Sequence, residues 1–424
     1  MDHSNVGPKL RVLADCTKGK GMHLLLIHQN FPGQFRDLAP AWLAAGHQIT
    51  ALGSCSDAPE GKAWEGLRYL RYHLKNDDAP SAEQRGAAVA EICRHLLARD
   101  QAPDLVLVHT AWGEALGLNT IWPDRPLITF PELWGSPLAL GYGFDQSIGG
   151  NWPDPELFIE QNNLARQGIE TASVSMVASP SQRDSFPPDL QQQLRVLPEG
   201  VDLEAISPNP AAQLLLNGRP IRAGDPLVTL VSRELEPLRG LRQVLWAWPA
   251  VSAALPDANL LLVGGDDGGY GLEEPRSDSH LNDAFLALPA EVNRSHIHVV
   301  GWLEHEEMLT VLQCSACHLA LSYPYTLSWS VLEAMACAAP LISNPGSPIS
   351  ASIRDGANGV LVPFNDHHQL AEAIIRMLKE PNKRRALGQA ARRTVEQHFN
   401  LRHTLPRYQA LFEELTAAER SSNH

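Results

Sequence analysis

The stretch Leu227-Val228-Thr229-Leu230-Val231-Ser232-Arg233-Glu234-Leu235-Glu236-Pro237-Leu238-Arg239-Gly240 decides how this chain is read. Its first five residues form a short apolar run of the kind that fills a buried parallel strand. Two arginines follow, then a glycine, then an amphipathic pattern over Leu241 to Ala254 that predicts a helix. In open α/β sheets, ligands bind outside the carboxyl ends of the strands. Arg233 and Arg239 at such an exit supply two planar cationic forks, which match the oxygens of a diphosphate. On this stretch alone, a pair of ordinary loop arginines explains the pattern as well.

Strand–helix alternation extends on both sides. Upstream, strands are predicted at His23–His28, Gln48–Leu52, Leu67–Leu74, Asp104–His109, Leu127–Phe130, Ser173–Ala178 and Leu194–Leu197. Helices are predicted from Phe35 to Leu43 with Gly46 as the stop, and over Ala82–Ala98, Gly113–Ile121 and Pro155–Gln167. Downstream, strands fall at Asn259–Val263, His296–Val300, Ala316–Leu321 and near Leu341 and Val360. Helices fall at Glu304–Gln313, Ser330–Ala338, Asp366–Lys379, Lys383–His398 and Arg402–Leu415. Strands alternating with helices mean parallel sheets covered on both faces, hence an α/β fold. The Pro-, Gly- and Asn-rich stretch Ser207 to Pro226 reads as a linker, and Gly264 to Ser279 as an irregular loop. Four parts result: an N-terminal extension (1–21), two doubly wound Rossmann-like domains (22–205 and 206–398) with a cleft expected between them, and a terminal helical segment (399–424).

Bulk properties narrow the function. The chain has 424 residues, is 44% hydrophobic and carries a net charge of −14, which argues against a dedicated nucleic-acid binder. No apolar run approaches the ~20 residues that span a bilayer, and Met1 to Gly21 does not read as a secretory signal, so a cytoplasmic location is expected. The six cysteines include one C-x-x-C pair, Cys314 and Cys317, with no second pair; they read as small buried residues, and no metal site is expected.

Three places carry chemistry. His28-Gln29-Asn30-Phe31-Pro32-Gly33-Gln34-Phe35 is a strand-to-helix turn. Its single Gly33 lets backbone N–H groups face an anion, though an ordinary turn reads the same way. His109 ends a strand and precedes Trp112-Gly113-Glu114. It suits hydrogen bonding to a hydroxyl or a transferring group, or else it caps the next helix or packs under Trp112. Glu114 equally suits the first turn of that helix. Tyr323-Pro324-Tyr325-Thr326-Leu327-Ser328-Trp329-Ser330 leads into a helix whose free N–H groups offer a second anion site. Glu333, one turn in, suits a ribose diol, while Ser330-x-x-Glu333 is also a capping box.

Taken in order, these pieces resemble the retaining nucleotide-sugar glycosyltransferases of family 4, which have the GT-B fold. The resemblance rests on the His28–Phe35 turn, His109-x-x-Trp112-Gly113-Glu114, Ser179-Pro180-Ser181 and Glu199-Gly200-Val201-Asp202. It continues through Arg233-x5-Arg239-Gly240, Leu327 to Cys337 and Arg354-Asp355-Gly356-x-Asn358-Gly359, and covers about residues 22 to 418. It implies that Arg233 and Arg239 grip the donor diphosphate, that Gly33 approaches the same phosphates, and that His109 lies near the donor sugar. Glu333 would hold the ribose, the backbone of Ser328, Trp329 and Ser330 would lie against the phosphates, and Gly301-Trp302-Leu303 would flank the base. The terminal helix would cross back to the N-terminal domain. Tyr325 stands where the family's first Glu of E-x7-E falls, so the sugar is not assigned. The implied reaction is metal-independent hexosyl transfer from a UDP- or GDP-sugar to a glycan, lipid or protein hydroxyl, with retention. Trp134 to Trp152 would serve the acceptor, and peripheral contact with the inner face of a membrane fits a lipid acceptor. A sugar-nucleotide epimerase, a phosphorylase and a non-catalytic sugar-nucleotide or partner-binding module remain the alternatives.

Overall fold

The computed structural model describes residues 21–55, 57–74, 80–147, 156–266 and 279–422. The N-terminal extension, parts of the Trp134–Trp152 loop and Asp267 lie outside them. Two compact units divide the chain: Met1–Gly135, Pro155–Asp202 and Asn400–His424 form the first, and Ser136–Asp154 with Leu203–Phe399 form the second.

The first unit holds β1 (His23–Ile27), β2 (Gln48–Gly53), β3 (Leu67–Arg71), β4 (Leu105–His109), β5 (Leu127–Phe130), β6 (Val174–Val177) and β7 (Leu194–Val196). They pair in parallel in the order β3-β2-β1-β4-β5-β6-β7. β1 shows why the run is continuously apolar. Leu24 and Leu26 enter the core on one face, Leu25 and Ile27 the core on the other. The helix Leu401–Ser422 belongs to this unit, with Leu401, Leu405, Tyr408 and Phe412 at helical spacing in the same core as Trp42 and Phe35.

The second unit holds a two-stranded antiparallel hairpin, β8 (Gln213–Leu216) and β9 (Arg219–Arg222), and a six-stranded parallel sheet. The sheet comprises β10 (Leu227–Glu234), β11 (Asn259–Gly265), β12 (Ile297–Val299), β13 (Cys317–Ala320), β14 (Leu341–Ser343) and β15 (Val360–Leu361), in the order β12-β11-β10-β13-β14-β15. Both parallel sheets are Rossmann-like. In each, the strand order reverses at one place, between β1 and β4 and between β10 and β13, and this is where doubly wound folds bind ligands.

Four expectations change. The stretch read as a linker contains the β8–β9 hairpin. Asn217 and Gly218 both have positive φ (49° and 76°), as a type I′ turn requires. The helix expected from Gly113 is only Leu118–Ile121. Gly113 adopts φ +107°, and a Cβ there would collide with the backbone of Ala82, so the chain turns there instead of coiling. The capping box Ser330-x-x-Glu333 is not formed, because the helix starts one residue earlier, with Ser328 as N-cap. Finally, Ser136–Asp154 belongs to the second unit. The buried Asp145 carboxylate accepts the Tyr323 hydroxyl at 2.6 Å, Phe144 packs on Tyr323 and Phe364, and Asn365 bonds both Phe144 and Gln146.

Candidate functional site

In the second unit, the chain leaves β10 through Arg233, an exposed residue, and closes a tight turn over Pro237–Arg239. Gly240 ends that turn at φ +76°. A Cβ there would lie 2.5 Å from the Leu321 side chain, so only glycine lets the loop pack on the strand end of β13. Arg239 is half-buried. Its guanidinium donates to the Ser322 hydroxyl at 3.3 Å and lies over the Tyr325 ring at 5.1 Å. Ser322 in turn donates to the Tyr323 carbonyl at 2.9 Å. The β10 exit and the β13 exit are therefore joined at the reversal of strand order.

The helix Trp329–Ala336 points its first turn at the same place. Ser330 Oγ donates to the Val231 carbonyl at 3.4 Å and pairs with Ser328 Oγ at 2.9 Å. First-turn N–H groups have no partner within their own helix, and the helix dipole favours an anion beside them. Glu333 is only 2% exposed and accepts from His305 Nε2 at 2.8 Å. Next door, Gly264 N–H bonds the Gly301 carbonyl at 2.9 Å, which ties the β11 end to the Gly301-Trp302-Leu303 loop. Trp302 is 64% exposed, and its indole N–H edge and the Glu234 carboxylate both close over Gly265. Arg239, Gly301, Trp302, Leu303, Tyr325, Ser328, Trp329 and Ser330 lie on loops or a first turn at the carboxyl edge of this one sheet, with Arg233 in the last residues of β10, which runs on past Val231, and Glu333 one turn into its helix.

The first unit carries a second cluster at its own reversal point. The His28 and His109 rings, from the ends of β1 and β4, sit 4.8 Å apart. Gly33 (φ +47°) presses on the His28 imidazole, where a Cβ would come within 2.5 Å. His28 Nδ1 accepts the Asn30 N–H at 3.0 Å, which requires that nitrogen to be unprotonated. Burial and the neighbouring His109 push the His28 pKa down to about 3. His109 is 2% exposed, and its Nε2 lies 3.3 Å from the Glu132 carboxylate. Burial opposes charge on the His109 ring, but Glu132 outweighs it and holds the imidazole above its ordinary range. Glu114, fully buried, accepts the Tyr72 hydroxyl at 2.9 Å, and burial raises its pKa. Its other oxygen and His109 Nδ1 are buried without a hydrogen-bond partner among the described residues. Glu114 is thus a buried acid beneath His109 and not a helix-terminal charge. Cys314 and Cys317 are separate, buried thiols, and Cys314 contacts the Ile221 carbonyl.

No role was assigned from the sequence to His28, which opens the marked turn, or to Glu132, Ser322 or His305. Three of these follow strand ends, at β1, β5 and β13, and that placement was the available signal.

Comparison with known proteins agrees with this geometry. Residues 45–206 match the family described as Glycosyl transferase family 4 group, and 218–394 match Glycosyl transferases group 1. A GDP-mannose-dependent monoacylated alpha-(1-6)-phosphatidylinositol monomannoside mannosyltransferase of Corynebacterium glutamicum is 28% identical over 215 residues, 48% of this chain and 52% of that protein. The chain spans about half the length of the curated relatives it matches first. Sucrose-phosphate synthase from Thermosynechococcus elongatus has the same fold at TM-score 0.73, with 22% identity, covering 93% of this chain and 99% of that one. Anabaena HepE, solved in complex with UDP-glucose, aligns at TM-score 0.65 with 16% identity, covering 93% of this chain and 100% of that one. The fold is that of the GT-B type, and two stretches of the chain each match a family of glycosyl transferases. The family 4 group match lies in the first half of the chain and the group 1 match in the second.

Proposed function

We propose that this protein transfers a hexosyl group from a UDP- or GDP-sugar to an acceptor hydroxyl, with retention at the anomeric carbon. The observation that carries the proposal is the convergence at the β10–β13 reversal. There Arg239, oriented by Ser322 and Tyr325, lies in the turn that follows β10, Arg233 lies near the end of β10, and the Ser330 hydroxyl ties the helix tip to the Val231 carbonyl of that strand. A diphosphate is the group that uses two guanidinium forks and a helix N-terminus together. As the bond from sugar to β-phosphate breaks, negative charge grows on the leaving diphosphate. Fixed donors aimed at that charge each contribute on the order of a few kcal/mol. The protein's own cations supply the positive charge in this scheme, so activity is expected to persist in chelator.

Glu333, held by His305, is the acceptor assigned to the ribose diol, and the Gly301-Trp302-Leu303 loop is assigned to the base. Gly33 serves the phosphates, and His109 orients the transferred sugar instead of acting as base. The leaving phosphate takes the acceptor proton. The HepE complex with UDP-glucose and the GDP-mannose dependence in the corynebacterial relative's name support a nucleoside-diphosphate-hexose donor. Glycan, lipid and protein hydroxyls are the acceptor classes. Among the described residues no helix is long and apolar enough to cross a membrane. We place the reaction in the cytoplasm, at the inner membrane face where the acceptor is a lipid.

Titration with UDP- and GDP-sugars, followed by detection of free nucleotide and sugar product by mass, tests this. Binding with release of nucleoside diphosphate and a glycosylated acceptor is the expected result. Binding without release would instead mark a sugar-nucleotide-binding module, a reading that Tyr325 in place of a carboxylate favours. An altered sugar still joined to its nucleotide would mark an epimerase.

A further inference from the structure

Glu132 is built in an uncommon way. It follows β5 and Pro131, and it adopts φ +56°, a left-handed conformation that residues with a Cβ rarely hold. Leu133 N–H bonds the Pro131 carbonyl at 2.7 Å, so Glu132 sits at the centre of a three-residue turn of the rare positive-φ kind. Such strain persists only where the surroundings over-determine it.

The surroundings here are specific. The buried Gln182 donates its side-chain N–H to the Glu132 carbonyl at 3.1 Å. Ser179 fixes that amide by donating to Gln182 Oε1 at 3.0 Å, while accepting the Gln182 backbone N–H at 3.2 Å. Ser185, on the same short helix (Pro180–Ser185), accepts the Trp134 N–H at 3.1 Å and donates to the Gln182 carbonyl at 2.6 Å. The Ser179-Pro180-Ser181 motif of the sequence thus starts the helix that braces this turn. What the turn presents is one carboxylate, 3.3 Å from His109 Nε2.

We propose that Glu132 is a positioning residue, held at positive φ by Gln182 so that its carboxylate fixes the His109 ring for sugar transfer. This rests on the assignment of His109 to the donor sugar. The other groups facing His109 are His28 across the ring, Glu114 below it with Tyr72 bonded to Glu114, and Arg85 acting on Glu114. None of them replaces the Glu132 contact at Nε2.

The test uses the full chain, with His109 observed by NMR after selective histidine labelling and with donor kinetics. In Glu132→Gln, the His109 titration midpoint is expected to fall, because burial is then opposed only by Glu114. Turnover is expected to drop at least tenfold, with donor KM changed less than threefold. Glu132→Gly relieves the backbone, so its melting temperature should equal or exceed that of the Gln variant, while its turnover falls further. Gln182→Ala should lose turnover in the same direction as Glu132→Gln. An unchanged His109 midpoint in Glu132→Gln overturns the proposal, and so does wild-type turnover in Glu132→Gly. If the wild type transfers no sugar from any donor, the assignment of His109 fails separately, and the NMR result still reports on the contact itself.

Discussion

Replacing Arg239 with alanine isolates the phosphate grip from the fold. Among the described residues the guanidinium meets the Ser322 hydroxyl at 3.3 Å and the Tyr325 ring at 5.1 Å. Ser322 keeps a partner after the change, since it donates to the Tyr323 carbonyl. The lost stack is worth about 0.5–1 kcal/mol at a site this open, and no polar group is left buried and unpaired. Stability should therefore fall by roughly 1 kcal/mol, read as a small shift in urea midpoint at constant slope. Binding should change far more. A charge-assisted hydrogen bond contributes about 1.5–3 kcal/mol, so the affinity for UDP or GDP should weaken roughly 10- to 150-fold. Affinity for the matching nucleoside, which lacks phosphates, should stay within about twofold. Calorimetric titration of wild type and variant with nucleoside and nucleoside diphosphate measures both. Equal losses for nucleoside and diphosphate would mean that Arg239 supports the pocket's shape and not the phosphates. Unchanged diphosphate affinity would refute the assignment.

Other consequences follow from single contacts. Tyr325→Phe keeps the ring under Arg239 and should bind nucleoside diphosphate nearly as wild type does, whereas Tyr325→Leu should weaken it several-fold; the same titration separates them. Gly240→Ala combines a positive φ with a Cβ 2.5 Å from Leu321, and should cost about 3 kcal/mol in urea unfolding. Glu333→Gln loses the ionic acceptor for His305 and for a ribose, and should weaken nucleotide more than it weakens the corresponding 2′,3′-dideoxy nucleotide, by competition binding. The two histidines at the first site give opposite pH dependence. His28 binds its proton more weakly folded than unfolded, so stability should be lost as pH falls from about 6.5 towards about 3. That loss is at most about 1.4 kcal/mol per pH unit, and less because the ring is half-buried. His109 binds its proton more tightly folded, so its contribution is present below the ordinary histidine value and is lost as pH rises through the raised one. Unfolding midpoints of wild type and His28→Asn across pH 4–7 should differ in slope on the acid side.

The parallel strands were the most legible part of the chain, because strands buried on both faces must be continuous apolar runs, as Leu24–Ile27 and Leu227–Val231 are. The helices Ala82–Ala98 and Leu241–Ala254 end where their apolar periodicity ends. The misses have local causes. β8–β9 is a hairpin made by Asn217-Gly218 inside a stretch whose prolines suggested a linker. The helix expected at Gly113 gave way to packing against Ala82, a contact that lies some thirty residues away along the chain. Ser136–Asp154 could not be assigned from position, because what holds it is the Tyr323 hydroxyl on Asp145, a pairing across 178 residues. At the site, Arg239 and Tyr325 were both marked, but their stacking was not legible. The sequence could not reveal Glu132, since its role depends on a backbone conformation that no side-chain pattern encodes.

A crystal structure of the chain with bound UDP or GDP tests the central claim most directly. The diphosphate is predicted within hydrogen-bond distance of both Arg233 and Arg239, with one phosphate against the first turn of Trp329–Ala336 and the ribose hydroxyls on Glu333. Phosphates bound elsewhere, with either arginine turned away from them, would contradict it.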